Sequence, residues 1–246
     1  MKRAVVFAAR FALAPILTGS MVVSVGAGSS AFERAHAVIG FATIYLIFGL
    51  VLLAAKERAL RRPAAFALLL ALLEAVPAVP ILHAVVAPFL FATLAWAGSA
   101  RSRSAAVAPE GGLAILILPL SLAIPIAYGV AYRHQTVGLQ VHLGSAILVG
   151  GAILIAAVVF QQQHPERANL VLASQVALGA VLFQIVLGMA AMVIRMLDLE
   201  NGLLLAVVRA VHIAGAAPLL AATAIMASQC CPRSPSQTPL TKRVTV

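Results

Sequence analysis

Four of the chain's six histidines sit in or at the start of long apolar runs: His36, His83, His142 and His212. Imidazole is both a common metal ligand and a proton carrier near neutral pH. An ionisable side chain is costly among lipid-length apolar residues, and where it occurs it usually faces a bundle interior or cavity. The spacing is regular, with 106 residues between His36 and His142 and 129 between His83 and His212. That pattern describes two halves, each with a histidine on its second and fourth helix. Two imidazoles facing each other across a four-helix bundle can hold one haem iron from both sides. The expectation is two porphyrin sites, one at His36 and His83, the other at His142 and His212. Zinc is the competing metal, but it takes three or four ligands, and each half offers two histidines with no cysteine and few carboxylates nearby. His134 and His164 fall in loops, the first at a rim and the second in solvent.

Charged residues cluster around the same places. Arg34 precedes His36 by two residues and Arg209 precedes His212 by three, while Arg133 and Arg195 flank the outer loops of the second half. Guanidinium grips a carboxylate in two-pronged fashion, so these four are candidate contacts for haem propionates, with snorkelling to lipid headgroups the alternative. Glu33 is three residues ahead of His36, on the same helical face at the mouth of the first site; a plain capping role is the other reading. The second half has Leu139 at the equivalent position. Glu74 lies in the third apolar run, where an ionised carboxylate is expensive, so it is either kept neutral by burial or relays protons. Its counterpart in the second half is Gln184.

The elements that must position these residues follow from composition. The chain has 246 residues, 63% hydrophobic and 10% charged, with mean hydropathy +1.06. At about 20 apolar residues per span, that stock suffices for seven or eight transmembrane helices. Long unbroken apolar runs exclude the dyad alternation of a transmembrane barrel. Charged and Gly/Pro-rich breaks predict helices at 4–27, 35–55, 63–79, 82–99, 112–132, 139–160, 169–195 and 203–228. The fold class expected is an all-α polytopic membrane protein, with eight transmembrane helices as two tandem pseudo-symmetric four-helix bundles. The N-terminal half spans 1–104, the C-terminal half spans 105–230, and 231–246 is a disordered cytoplasmic tail. With both termini cytoplasmic, thirteen of the 17 Lys and Arg fall inside, leaving Arg34, Arg133, Arg195 and Arg209 outside. The net charge of +10 is then an orientation signal, and no nucleic-acid partner is expected. Lys2, Arg3 and Arg10 followed by Gly26–Ala31 resemble a signal peptide, but its cleavage would break the repeat. Cys230 and Cys231 are neighbours, a geometry that disfavours a structural disulfide.

These residues resemble the haem A synthases. The first half reads Thr18-Gly19-Ser20-Met21-Val22, Gly26-Ala27-Gly28-Ser29 and Glu33-Arg34-Ala35-His36, similar to that family's first helix, Gly-rich outer loop and Glu-x-x-His. The second half reads Arg133-His134-Gln135-Thr136, His142, Gln184-x-x-Leu187-Gly188 and His212. The resemblance implies an oxidoreductase that converts a methyl group of haem O to formyl, with haem b as resident cofactor. His36 and His83, with Arg34, would flank the substrate haem; Glu33 would be the catalytic carboxylate; His142 and His212 would ligate the haem b iron. It implies a multi-pass protein of the bacterial cytoplasmic membrane, in contact with lipid and with haem O synthase or terminal-oxidase assembly machinery. The chain departs from the family in its short outer loop without a cysteine pair, and in Ala37 and Leu143 after the histidines. A non-catalytic dihaem b-type cytochrome needs the histidines without Glu33, and a proton-coupled transporter built on Glu74 would need no haem.

Overall fold

The computed structural model describes residues 2–25, 30–76, 80–99, 112–197 and 202–230, and every regular element among them is an α-helix. The expected tail 231–246, the acids Asp198 and Glu200, and the loop Gly26–Ser29 lie outside the described residues. The chain opens on a broken helix, α1 (Lys2–Phe11) and α2 (Leu13–Val25). Pro15 has no N–H to donate, and its ring crowds the carbonyl four residues earlier, which belongs to Phe11, the last residue of α1. Then come α3 (Ser30–Ala54), α4 (Arg58–Glu74) and α5 (Pro80–Ser99). A second broken helix follows, α6 (Gly112–Ser121) and α7 (Ala123–Arg133), and here Pro125 crowds Ser121 in the same way. The chain continues with α8 (Leu139–Gln163), α9 (Ala168–Met196) and α10 (Leu203–Cys230). The two breaks, at Ala12 and Leu122, are 110 residues apart.

Three boundaries differ by five residues from the sequence expectation. Helix α3 starts at Ser30 instead of 35, so Glu33 and His36 occupy its first two turns. Helix α4 starts at Arg58 instead of 63 and ends at Glu74 instead of 79. A tight turn explains the early start: Glu57 N–H donates to Ala54 O at 2.9 Å, Leu60 N–H to Glu57 O at 2.9 Å, and Arg61 Nε reaches back to Ala55 O at 2.7 Å. Pro63 is therefore inside the helix.

Among the described residues, six helices are long and apolar enough to cross a bilayer: Arg3–Val25 taken as one bent rod, Ala31–Ala54, Leu82–Ser99, Leu139–Gln163, Ala168–Met196 and Leu203–Gln229. The 17-residue α4, which carries Arg58, Arg61 and Arg62, does not meet that measure, and Ile117–Arg133 is a shorter apolar helix. This is the build of an all-α membrane protein. Lipid gives helices no hydrophobic reason to associate, so close contact rests on small residues that let backbones approach. Helix α10 shows this best, with a buried stripe of Ala206, Ala210, Ala214, Ala217 and Ala221. It packs on α9, α5, α2 and α6, and so joins the first half to the second. Large apolar side chains such as Phe41, Tyr45, Leu148 and Ile155 point outward, as expected where the solvent is hydrocarbon.

The turn from α7 to α8 ends the helix with two bonds, Thr136 N–H to Ala131 O and Gln135 N–H to Tyr132 O, each 3.0 Å. That is a Schellman closure, whose pivot residue sits in the left-handed region and is usually glycine. Here the pivot is Gln135 at φ 58°. Gln135→Gly should raise stability by up to about 1 kcal/mol, since the left-handed conformation costs a side chain roughly 1–2 kcal/mol and glycine returns part of that as chain entropy. Thermal unfolding in detergent measures it; a lower Tm for the glycine variant would refute the strain at this pivot.

Candidate functional site

The four intramembrane histidines meet as two pairs. His36 on α3 and His83 on α5 stand with ring centres 5.7 Å apart and planes at 85°. His142 on α8 and His212 on α10 stand 6.3 Å apart at 87°. All four are partly buried.

A main-chain carbonyl orients one ring of each pair. His142 Nδ1 lies 3.0 Å from Pro125 O on α7. That carbonyl is already used within the helix by the N–H of Gly129, four residues on, and the missing side chain there leaves room for the ring to approach the oxygen. A Cβ on Gly129 would come 3.0 Å from His142 Cε1 and 3.2 Å from its Nδ1. In the first half, Pro15 and Gly19 hold the corresponding places beside His36, and a Cβ on Gly19 would meet its Cε1 at 2.8 Å. His36 Nδ1 also stands 3.3 Å from the Thr18 hydroxyl, which donates its own proton to Ala14 O at 2.9 Å and so acts as acceptor toward the ring. His212 stands beside Gly188, whose added Cβ would lie 3.4 Å from His212 Cε1, but its Nδ1 is buried without a hydrogen-bond partner. Gln184 Nε2 donates to His212 O at 3.0 Å. His83 is the variation: its Nδ1 lies 3.0 Å from the carbonyl of Glu74, the last residue of α4. A helix-end carbonyl has no intrahelical partner, so no glycine is needed.

A carbonyl oxygen only accepts, so where Nδ1 meets one the ring proton sits on Nδ1 and Nε2 keeps its lone pair. That is the tautomer in which Nε2 is free to bind a metal while the carbonyl fixes the ring. Metal–imidazole bonds are about 2 Å long and a ring centre lies about 1.2 Å behind its nitrogen, so a metal held in line between two imidazoles separates the centres by roughly 6 Å. The two pairs fit that separation. Among the described residues no group of three or more His, Cys, Asp or Glu converges, so each pair could offer two imidazoles, and no third side chain, to a metal whose other positions a bound cofactor would fill.

The remaining expected residues are distributed unevenly. Glu33 and Arg34 are exposed on the first turn of α3, with Glu33 one turn before His36. Arg133 donates from α7 to Val23 O at the end of α2, joining the two halves, and lies within electrostatic reach of Arg209 on α10. Arg195 donates to the Tyr132 hydroxyl and sits over that ring, 5.9 Å from its centre. The Glu74 backbone orients His83, while its Oε1 is buried without a hydrogen-bond partner. His134 is the exposed cap of α7; His164 caps α8, 3.8 Å from Glu166.

Sequence reasoning missed the orienting groups. Pro15-Ile16-Leu17-Thr18-Gly19 and Pro125-Ile126-Ala127-Tyr128-Gly129 repeat a Pro-Ile-x-x-Gly pattern at an offset of 110, the offset that also relates Glu74 to Gln184. In an exposed helix position Gly→Ala gains up to about 1 kcal/mol; at Gly129 the methyl group strikes His142 instead. Gly129→Ala should therefore weaken hemin binding by the purified protein at least about tenfold, while Gly179→Ala, with nothing within 4 Å of the added Cβ, leaves it unchanged. Equal hemin titrations for the two variants would separate Gly129 from ring placement. A search of the sequence against protein-family models and curated proteins finds no match to either.

Proposed function

We propose that the protein is a haem A synthase-like oxidoreductase of the bacterial cytoplasmic membrane, oxidising the methyl substituent of haem O to a formyl group. The observation that carries the reading is the pair of facing imidazoles in each half, each pair spaced for one metal and backed by main-chain carbonyls. Eight spans in two tandem four-helix units, with both termini cytoplasmic, are part of the proposal. Support comes from the proline-broken helices 110 residues apart, the strong bias of basic residues to one side, and the packing of α10 on both α2 and α5.

In this reading His142 and His212 hold haem b, which when bound supplies one-electron transfer to an external acceptor. His36 and His83 flank the substrate haem. Converting methyl to formyl removes four electrons and takes its oxygen from water, in two successive two-electron steps. Each step leaves an electron-poor carbon; a carboxylate nearby stabilises that charge and takes up a proton as water adds. Glu33 is the acid placed for this role, one turn from His36, and the second half has Leu139 there. Arg34 in the first site, and Arg133, Arg195 and Arg209 around the second, are the propionate partners in this scheme. Glu74, which the second half replaces with Gln184, is the candidate to pass protons away from the first site.

The near-equal geometry of the two pairs, 5.7 Å at 85° and 6.3 Å at 87°, favours one other reading, a dihaem b-type cytochrome without chemistry of its own. Two measurements decide. The oxidised and reduced absorbance spectra of protein from haem-replete cells should show a Soret band and b-type reduced bands, lost in large part in His142→Ala or His212→Ala; colourless protein would remove both haem readings. Chromatography of extracted haems should find formylated or hydroxylated porphyrin in the parent and none in Glu33→Ala, with haem b content preserved. Protohaem alone in the parent would leave the cytochrome.

A further inference from the structure

The end of the helices opposite the histidines holds an unexplained charge. Arg167 precedes the first residue of α9, yet only 8% of it is exposed. It lies on the stripe that continues as Leu170, Ser174, Ala177 and Val181, the buried face of α9. Its Nε and Nη1 are both buried without a hydrogen-bond partner, and among the described residues it forms no ion pair. Its sequence neighbour Glu166 has a side chain 66% exposed and stands beside His164 instead. An isolated buried guanidinium is severely destabilising, and unlike lysine it cannot escape by losing its proton.

Two further orphaned donors lie at the same level. Gln184 of α9 touches His212 of α10; from that contact Arg167 is 17 residues back along α9 and Gln229 is 17 residues forward along the antiparallel α10. Gly150 of α8 faces Val181 of α9, and from there Gln161 is 11 residues forward and Arg167 14 residues back, within one turn of each other. Gln229 is 6% exposed, and the amide Nε2 atoms of Gln161 and Gln229 are both buried without a partner. Three helices thus carry four unpaired N–H-bearing nitrogens at one level of the bundle. The N-terminus of α9 adds the positive end of its dipole. This is also the end to which Lys2, Arg3, Arg10, Lys56, Arg61 and Arg62 belong.

We infer that Arg167, with Gln161 and Gln229, forms a binding site for a phosphate-bearing anion between α8, α9 and α10. A tetrahedral phosphate offers oxygens in several directions to donors converging from three helices, and guanidinium takes two of them at once. The site lies where helices leave the apolar layer, the depth at which basic interhelical pockets hold lipid headgroups. A phospholipid headgroup and free phosphate share this chemistry. The inference stands apart from the haem reading, because its test needs no porphyrin.

The full-length protein, delipidated in a neutral detergent, is titrated with phosphatidylglycerol, phosphatidylcholine or sodium phosphate while thermal unfolding is followed. Binding to the folded state alone raises Tm in a saturable way. The expected result is a rise of several degrees that Arg167→Gln abolishes. A rise with phosphatidylglycerol but not sodium phosphate assigns the headgroup; an equal rise with sodium phosphate assigns the free ion. Without added anion, Arg167→Gln should be as stable as the parent or more so, since it removes an uncompensated charge. Gln229→Leu, which keeps the guanidinium, should shift the titration about tenfold to higher concentration, as for a lost hydrogen bond to a charged group. It also serves as the test if Arg167→Gln does not fold. A rise that survives in these variants, or no rise with any of the three additives, overturns the site.

Discussion

An imidazole inside an apolar bundle must give its ring proton to something, and the bundle offers little except its own main chain. Helical carbonyls are already occupied by the N–H four residues ahead. A ring gains room to reach one before a glycine, where no side chain stands in the way, or at a helix end, where the carbonyl is free. His142 uses the first, at Pro125/Gly129, and His83 the second, at Glu74 on the end of α4. His36 lies beside the matching Pro15/Gly19 and meets the Thr18 hydroxyl, while His212, beside Gln184/Gly188, has its Nδ1 buried without a hydrogen-bond partner. The prolines add a break at Ala12 and Leu122 that redirects the helix before the glycine. The tilt of two helices and the end of a third thus bear on one ring of each pair.

The halves share this framework and differ in what surrounds it. The first carries acids at Glu33 and Glu74 where the second has Leu139 and Gln184. An amide in place of an acid at Gln184 lets the side chain donate to the His212 carbonyl, closing locally what Glu74 leaves unpartnered. The first half therefore keeps a buried carboxyl group that the second replaces with an amide. The proposed division between substrate and resident haem rests on that difference.

Much of the arrangement was legible from residue types. Long apolar runs could only be helices, and histidines at repeat-related places foreshadowed the pairing His36 with His83 and His142 with His212, because alternating helix direction brings second and fourth helices to one end. What stayed hidden had physical reasons. The histidine offsets, 106 and 129, carry loop-length differences and so masked the constant 110 of the helices beneath, on which the Pro-Ile-x-x-Gly repeat lies. The early start of α4 depends on Arg61 reaching back to Ala55 O, a contact no hydropathy pattern announces. A basic residue between Glu166 and Ala168 ordinarily faces water, and the burial of Arg167 follows only from its lying on the inward stripe of α9.

The position of α10 bears on how the chain is built. It is the last described helix to leave the ribosome, yet it touches α2 and α5 of the first half as well as α6 and α9 of the second. Until it enters the bilayer, the alanine-matched faces of those earlier helices have no mate, and His142 lacks its opposing ring. Assembly thus finishes from the C-terminal side, and neither ring pair is locked in its final surroundings before that segment is inserted.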